Sequence, residues 1–326
     1  MAYSNEVLRR AQERLAQQKA DHESKYNQRL WEAYRKVPRL REIDMQLRRT
    51  MTAAAQTAFM KGGDPVAIME QVKEANLSLQ AERKALVEEN FAPGYLDENA
   101  LCPNCGGSGF VGNTMCDCLK ALCREEQKKE IARLTTGVER FENFRLDYYP
   151  DRYNPEMKAN PRQVMEKTLQ YCRGYAKEFA PGMNMLFVGG TGLGKTFLSA
   201  CVANTVADKG YSVAYASAPQ LFEKLNKNQF NPDEESARQV QALKNCDLLI
   251  IDDLGTELTN NFVISALYSL VNDRLVTGKS MLISTNLNVS EIAQRYNPQI
   301  ASRLQGNFKN LVFLGDDIRV LKNRGI

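Results

Sequence analysis

The clearest chemistry of this chain lies in eight consecutive residues, Gly189-Gly190-Thr191-Gly192-Leu193-Gly194-Lys195-Thr196. They match the pattern G-x-x-x-x-G-K-[ST] without a mismatch, between an apolar run at 185–188 and an apolar-periodic run from 197. A strand, a glycine loop and a helix in this order predict a phosphate-binding loop, because backbone N–H groups and the helix N-terminus then face an anion. We expect Lys195 to reach the β- and γ-phosphates of ATP, and the Thr196 hydroxyl to ligate Mg²⁺.

A second apolar run, Leu248–Ile251, is followed directly by Asp252 and Asp253. The carboxyl ends of parallel strands meet at one sheet edge, so these acids should lie beside the phosphate loop. Asp252 would hold Mg²⁺, and Asp253 would orient and deprotonate an attacking water. The alternative is a buried strand that merely ends in polar residues.

Three more polar residues could complete this site. Asn286 follows the apolar run Ser280–Ile283 and could contact the γ-phosphate, or could simply begin a turn. Arg303, which we expect to follow a short helix at 301–302, could reach the γ-phosphate of a neighbouring subunit. Arg319 could touch the nucleotide bound by its own chain. Solvated surface positions are the alternative for both arginines.

Four cysteines have the spacing of metal ligands. Cys102 and Cys105 form C-x-x-C, and Cys116 and Cys118 form C-x-C after ten intervening residues rich in glycine. Four thiolates satisfy tetrahedral Zn²⁺ and leave no open position, so the predicted site is structural. Cys123 is a possible substitute ligand, and a redox pair or unligated thiols are the alternatives.

The bulk composition restricts the class of protein. The net charge of +4 permits a nucleic-acid partner but does not argue for one. The chain shows neither a signal-peptide pattern nor a run of about 18 apolar residues, so we expect no membrane span. Clustered cysteines beside a nucleotide motif favour a reducing cytoplasm over a disulfide framework.

Strand and helix patterns alternate in the second half of the chain. This alternation predicts an α/β fold, with a parallel sheet covered by helices on both faces and an added strand between the loop strand and the acidic strand. The predicted strands lie at 185–188, 211–216, 247–251, 280–284 and 310–314, and the predicted helices at 195–208, 218–228, 235–244, 260–277 and 290–305.

Four segments follow from these patterns. Residues 1–95 form a helical region for docking a partner, and 98–122 a zinc module. Residues 123–160 form a linker or tether, and 161–326 the ATPase domain. Asn160-Pro161 should begin the first helix of that domain.

The N-terminal region shows helix signals throughout. Pro38 interrupts the first helix, and apolar residues at 47–58 form one face of the next. Gly62-Gly63 ends that helix, and Asp64 caps another that has Pro65 in its first turn. These helices either dock another protein or only stabilise the chain.

The assembled motifs resemble those of the DnaC/DnaI-like helicase loaders of bacteria and phages, which are AAA+ ATPases related to the IstB-like ATPases of insertion sequences. The resemblance rests on C-x-x-C and C-x-C, the F-x-x-F at 141–144, GGTGLGKTFLS, LLIIDDLG, ISTN and GDDIR. Its ATPase part covers about residues 140–326, and the cysteine segment resembles the zinc module ahead of the ATPase core in the DnaI-like branch.

This resemblance implies that ATP binds between adjacent subunits, and that the protein delivers a hexameric replicative helicase onto single-stranded DNA. Lys195, Thr196, Asp252 and Asp253 then take the loop and acid roles. Asn286 is then the sensor residue at the γ-phosphate, and Arg303 is the arginine finger toward a neighbouring subunit. Arg319 is the second sensor, at the nucleotide of its own chain. Asp253 stands where many of the wider AAA+ proteins have the longer glutamate, which favours slow hydrolysis that acts as a switch. The seven residues after Arg319 are too few for a full helical lid.

Two other functions stay open at this point. One is a transposition helper of the IstB-like kind that acts on duplex DNA and a transposase. The other is a zinc-bearing, chaperone-like adaptor with regulatory ATP binding. For contact with a single strand, Phe222, Lys224, Lys227 and Phe230 offer aromatic and basic groups, although the aromatic rings could instead face the core.

Overall fold

The computed structural model describes residues 3–59, 65–134 and 137–323, and the side chains within them except those of 51–75 and 134. The chain divides into two units. The smaller comprises residues 14–116, and the larger comprises residues 1–13 together with 117–326. No helix in the described part of the chain is long and apolar enough to cross a bilayer.

The smaller unit contains long helices followed by a short hairpin. Its elements are α1 (Asn5–Lys36, which begins in the larger unit), α2 (Pro38–Phe59), α3 (Pro65–Asn90), β1 (Phe110–Val111) and β2 (Thr114–Met115). Pro38 separates α1 from α2, as predicted. Ala33, Leu40 and Leu96 form an apolar cluster within this unit, so part of the helical surface packs internally. The predicted helix break at Gly62-Gly63 and Asp64, and most of the apolar face at 47–58, lie outside the described side chains.

The larger unit alternates strands and helices. Its elements are α4 (Asp117–Leu134), α5 (Pro161–Lys177), β3 (Met185–Val188), α6 (Lys195–Asp208), β4 (Val213–Ser217), α7 (Ala218–Phe230), α8 (Glu234–Asn245), β5 (Leu248–Leu254), α9 (Asn261–Val276), β6 (Ser280–Thr285), α10 (Val289–Arg295), α11 (Pro298–Asn307), β7 (Lys309–Val312) and α12 (Ile318–Asn323). Two short 3-10 turns, Phe141–Asn143 and Leu146–Tyr148, precede α5.

Five parallel strands form the sheet of this unit in the order β4-β5-β6-β3-β7. Strand β6 therefore lies between the loop strand β3 and the acidic strand β5, as predicted. Two apolar cores cover the sheet. One is built around α5 and α6, and the other around α7 to α11. The predicted α/β fold with a parallel sheet is confirmed.

Two local predictions differ from the structure. The single helix predicted at 290–305 is two helices, because Asn297 caps α11 through its side chain and Pro298 occupies the first turn. The segment predicted as a tether contributes buried Ile131, Phe141 and Tyr149 to the core beside α5 and α6. Asn160 accepts a hydrogen bond from the Gln163 N–H and begins α5, as predicted.

Candidate functional site

The glycine loop joins β3 to α6 at the carboxyl edge of the sheet. Gly194 precedes α6 with φ of +87°, a left-handed conformation that glycine adopts without steric cost. A Cβ atom at Gly189 would lie 2.5 Å from the carbonyl oxygen of Phe313, the residue after β7, so the end of this strand packs directly against the loop. The Tyr149 hydroxyl donates to the Leu193 carbonyl at 2.9 Å and gives the loop a second contact. The loop is therefore fixed by contacts with elements distant in sequence.

Lys195 begins α6 and turns back over this loop. Its Nζ donates to the carbonyls of Gly189 and Gly190 at 2.7 and 2.6 Å, and to Asn286 Oδ1 at 2.6 Å. Burial lowers the pKa of Lys195, while Asp253 and Asp252 oppose this shift by favouring its charge. The structure thus brings the predicted loop lysine, amide and acids together.

The two acids lie at the end of β5. Asp252 is buried, and its carboxylate accepts hydrogen bonds from the Tyr215 hydroxyl at 2.9 Å and from the Ser284 hydroxyl. Asp253 has φ of +55° and lines the cleft in front of the loop. Burial, and then the charge of Asp252, raise the pKa of the Asp253 carboxyl. An acid with a raised pKa is better suited to accept a proton than an ordinary surface carboxylate.

This cleft has a volume of about 390 Å³. Its polar wall contains the predicted site residues Thr191, Gly192, Leu193, Gly194, Lys195, Thr196, Asp253, Asn286 and Arg319. Gly189 and Gly190 lie behind this wall and contact Lys195 through their carbonyl oxygens. The cleft thus has backbone donors, the Asp253 carboxylate and a helix N-terminus, whereas buried Asp252 is not among its lining residues. These groups suit a magnesium-bound polyphosphate.

An aromatic wall also lines the cleft, and our sequence predictions did not assign it to the site. Phe144, Tyr148 and Tyr149 line the cleft, and the rings of Phe144 and Tyr149 stack with centroids 5.8 Å apart. Arg145 lies over the Tyr148 ring at 4.5 Å. The sequence feature that could have indicated this wall is the F-x-x-F at 141–144 with the adjacent tyrosines. Apolar and aromatic surfaces of this kind accommodate a planar base.

The two predicted arginines occupy different places. Arg319 is exposed at the start of α12 and lines the cleft. Arg303 lies inside α11, and the prediction that it follows a short helix at 301–302 is wrong, because Asn297 and Pro298 begin α11 earlier. Its guanidinium donates to the Tyr268 hydroxyl at 2.7 Å and lies 4.4 Å from the centre of that ring. Arg303 is therefore held against α9.

The two aromatic residues proposed for DNA contact differ in burial. Phe222 is buried in the core, whereas Phe230 is 62% exposed at the end of α7. Lys227 forms an ion pair with Asp233 at 3.0 Å. The core interpretation thus holds for Phe222, and Phe230 presents an aromatic surface.

The four predicted cysteine ligands converge. The sulfur atoms of Cys102, Cys105, Cys116 and Cys118 all lie within 4.8 Å of one another. Cys102 Sγ and Cys116 Sγ are 3.8 Å apart, the edge length of a tetrahedron with metal–sulfur bonds of about 2.3 Å. These thiols therefore fit a tetrahedral metal ion.

The surroundings of these cysteines agree with a metal-binding role. The Gly109 N–H donates to Cys105 Sγ at 3.3 Å, as expected for a ligand thiolate that carries charge. Cys123 is not a member of the cluster. It lies buried in α4, where burial and the neighbouring Glu126 raise the pKa of its thiol to about 11.

Comparison with known proteins supplies the family. The sequence profile described as IstB-like ATP binding protein matches residues 119–304, which is more than half of the chain. The chain belongs to this family. The match includes the glycine loop, both acids and Asn286, and it agrees with the P-loop α/β fold.

Individual relatives confirm the resemblance indicated by the motifs. The replicative helicase loader DnaC of Escherichia coli (strain K12) is 24% identical over 153 residues, covering 46% of this chain and 62% of DnaC. An ATP-binding protein of insertion sequence IS1162 from Pseudomonas fluorescens is 31% identical over 101 residues, covering 31% of this chain and 43% of that protein. A crystal structure of DnaI aligns with a TM-score of 0.44 and 21% identity, over 58% of this chain and 92% of that chain. The chain thus spans less than two thirds of either curated relative.

Proposed function

We propose that this protein is an ATP-dependent loader of a replicative helicase onto single-stranded DNA. The observation that carries the proposal is the cleft, which is lined by the glycine loop, Asp253 and Asn286, with Lys195 hydrogen-bonded to Asn286. The similarity to DnaC, which is named a replicative helicase loader, supports the choice of this activity among those of nucleotide-binding proteins. On the basis of the same similarity to DnaC, we also propose that the protein is cytoplasmic.

The residues of the cleft divide the chemistry of ATP hydrolysis among them. The loop from Gly189 to Gly194 binds the phosphates through backbone N–H groups, and Lys195 pairs with the β- and γ-phosphates. Thr196 and Asp252 would hold magnesium, which supplies positive charge that offsets the charge on the phosphates. Asp253 accepts the proton of the attacking water, and Asn286 orients the γ-phosphate.

Slow turnover is part of the proposal. Asp253 is one methylene shorter than glutamate, so its carboxylate reaches less far into the cleft. Hydrolysis that is slow relative to binding suits a switch that times release of the helicase. Asp253→Glu should therefore raise steady-state turnover, and a large fall in turnover would contradict the switch interpretation.

Self-association would complete the site. Arg303 lies outside the cleft of its own chain and is held by Tyr268 on α9. We propose that it reaches the γ-phosphate bound by a neighbouring subunit and stabilises charge in the transition state. Arg319, which lines the cleft, acts on the nucleotide of its own chain.

The N-terminal part of the chain has two proposed tasks. The helices within residues 1–95 dock the helicase, and the four cysteines at 102–118 bind a structural Zn²⁺ ion. So short a segment buries little apolar surface, and metal ligation supplies the folding free energy instead.

The test mixes the purified full chain with the replicative helicase of its own host, ATP and single-stranded DNA coated with its binding protein. We expect a stable complex and ATP-dependent transfer of the helicase to the DNA. Lys195→Ala should form the complex only weakly and should not transfer the helicase. Absence of a complex with the wild-type chain would refute the loader function.

A second candidate is a transposition helper that acts on duplex DNA and a transposase. The IS1162 relative and the description of the family favour it. The same experiment separates the two functions. Tight ATP-dependent binding to duplex DNA, together with no helicase complex, would favour the helper.

A further inference from the structure

We propose that Tyr215 and Ser284 are positioning residues for the acid pair, which orient Asp252 through two hydroxyl donors and fix the backbone of Asp253. This inference rests on the proposed ATPase function, because it assigns the residues that prepare the magnesium-binding acid. Neither residue belongs to the loop or acid motifs. They come from the two strands that flank β5, namely β4 and β6.

Tyr215 supplies the first donor. It lies on β4, where Ser217 is the register partner of Asp252, so the tyrosine stands two residues before that pair. The hydroxyl donates to Asp252 Oδ2 at 2.9 Å. A phenol is rigid beyond two side-chain torsions, so it can fix the carboxylate at little cost in conformational entropy.

Ser284 supplies the second donor from the opposite strand. This residue on β6 is fully buried, and its hydroxyl donates to Asp252 Oδ1. Both oxygens of the carboxylate are therefore hydrogen-bonded, one from each neighbouring strand. Two donors on separate oxygens fix the rotation of a carboxylate, which a single donor cannot do.

The same serine also accepts a backbone hydrogen bond at a β-bulge in β5. Ile251 pairs with Ile283, and Leu254 pairs with Thr285, so β5 holds one extra residue between these pairs. Asp253 lies in this bulge with φ of +55°. Its backbone N–H donates to Ser284 Oγ at 2.9 Å, in place of the carbonyl that a regular ladder would offer. The serine hydroxyl thus accepts from one acid and donates to the other.

The bulge explains how adjacent acids can serve one site. Consecutive residues of a regular strand point to opposite faces of the sheet. With the bulge, buried Asp252 and cleft-lining Asp253 follow each other directly at the strand end. Ser284 stabilises this conformation, and Tyr215 and Ser284 together set the carboxylate that would hold magnesium.

The test measures magnesium-dependent binding of a fluorescent ATP analogue to the zinc-replete full chain. The variants are Tyr215→Phe, Ser284→Ala and Ser284→Thr. Tyr175→Phe is the matched tyrosine control, since its buried hydroxyl donates to the Met183 carbonyl at 3.0 Å, away from the acids. Ser199→Ala is the serine control, because this buried hydroxyl has no hydrogen-bond partner in the described part of the chain.

We expect Tyr215→Phe and Ser284→Ala each to raise the magnesium concentration for half-maximal binding about tenfold, the usual effect of losing a hydrogen bond to a charged group. Binding in EDTA should stay within about twofold of wild type, because the loop still holds the phosphates. Ser284→Thr retains the hydroxyl and should recover most of the loss. Both controls should behave as wild type.

Three outcomes decide the inference. An unchanged magnesium dependence in Tyr215→Phe would overturn it even if Ser284→Ala fails to fold. An equal loss of binding with and without magnesium would also overturn it, because that pattern indicates general damage. If the wild-type chain binds no nucleotide, both the proposed function and this inference fail. If the wild type and the variants share the same magnesium-dependent binding, only this inference fails.

Discussion

Gly192 provides a sharp test of the phosphate loop, because the motif alone does not require glycine at this position. The residue has φ of +73°, and a Cβ atom would lie 1.9 Å from Asp317 Oδ1. That carboxylate also accepts the Arg319 N–H at 2.8 Å, at the start of α12. The Gly192 carbonyl in turn accepts the Ile318 N–H at 3.0 Å. Gly192→Ala should therefore disturb both the loop and the segment that carries Arg319 into the cleft.

The expected magnitude follows from these contacts. Alanine in the left-handed region costs about 1–2 kcal/mol, and moving Asp317 away from the Arg319 N–H costs about 1 kcal/mol. If the loop relaxes to avoid this cost of about 2–3 kcal/mol, nucleotide binding must restore its shape, and affinity falls about 30-fold to 150-fold. If the loop does not relax, the same free energy appears as a lower stability of the larger unit, about 2–4 °C in Tm per kcal/mol.

The assay combines titration of a fluorescent ATP analogue with thermal unfolding. Gly190→Ala is the matched control, since its Cβ would lie 3.8 Å from Leu193 Cδ1, an ordinary contact. Asp317→Ala alone removes both the clash partner and the acceptor of the Arg319 N–H. Relative to that variant, Gly192→Ala/Asp317→Ala should show only the backbone cost of about 1–2 kcal/mol. The reasoning is refuted if Gly192→Ala matches Gly190→Ala in both affinity and Tm.

Three further changes test other parts of the structure. Arg274→Met should lower the free energy of unfolding by about 3–5 kcal/mol in a urea titration, because the fully buried guanidinium donates to the carbonyls of Leu243 and Cys246. A loss below about 1 kcal/mol would contradict that role. Cys105→Ser should reduce bound zinc, measured by elemental analysis, and an unchanged metal content would argue against the tetrahedral site. Arg303→Ala should leave ATP affinity unchanged while hydrolysis falls about a thousandfold, and hydrolysis at the wild-type rate would exclude the finger role.

The parts of the site that lie within one motif could be predicted from the sequence. The glycine loop is specified locally, since its glycines, the following lysine and the flanking apolar runs are contiguous. The acids at 252–253 and Asn286 each follow an apolar strand, and parallel strands bring such ends to one edge. The structure places Lys195 within hydrogen-bonding distance of Asn286, 91 residues later.

The parts that depend on contacts between distant segments could not be predicted in this way. Tyr215 reaches Asp252 because β4 pairs with β5 in one register, and no local pattern marks that tyrosine. The bulge at Asp253 depends on pairing with β6. The aromatic wall needs the stretch containing Tyr149 to fold back onto the loop, although its composition resembles that of an extended connection.

The helix boundary at Asn297-Pro298 is a different case, since its signal is local. Asparagine before proline favours an extended residue and then a new helix, and Asn297 accepts the Ile300 N–H at 2.7 Å. Continuous apolar spacing across 290–305 predicted one helix, and the cap overrides that spacing. Arg303 consequently lies within the second helix of the pair.

Binding of ATP to the cleft is the claim on which the loader, the switch and the positioning roles all depend. Isothermal titration calorimetry of magnesium–ATP into the zinc-replete full chain measures it directly, with Lys195→Ala as the comparison. We predict one nucleotide bound per chain for the wild type and no measurable heat for the variant. Absence of heat with a folded wild-type chain, or equal binding by Lys195→Ala, would contradict the account.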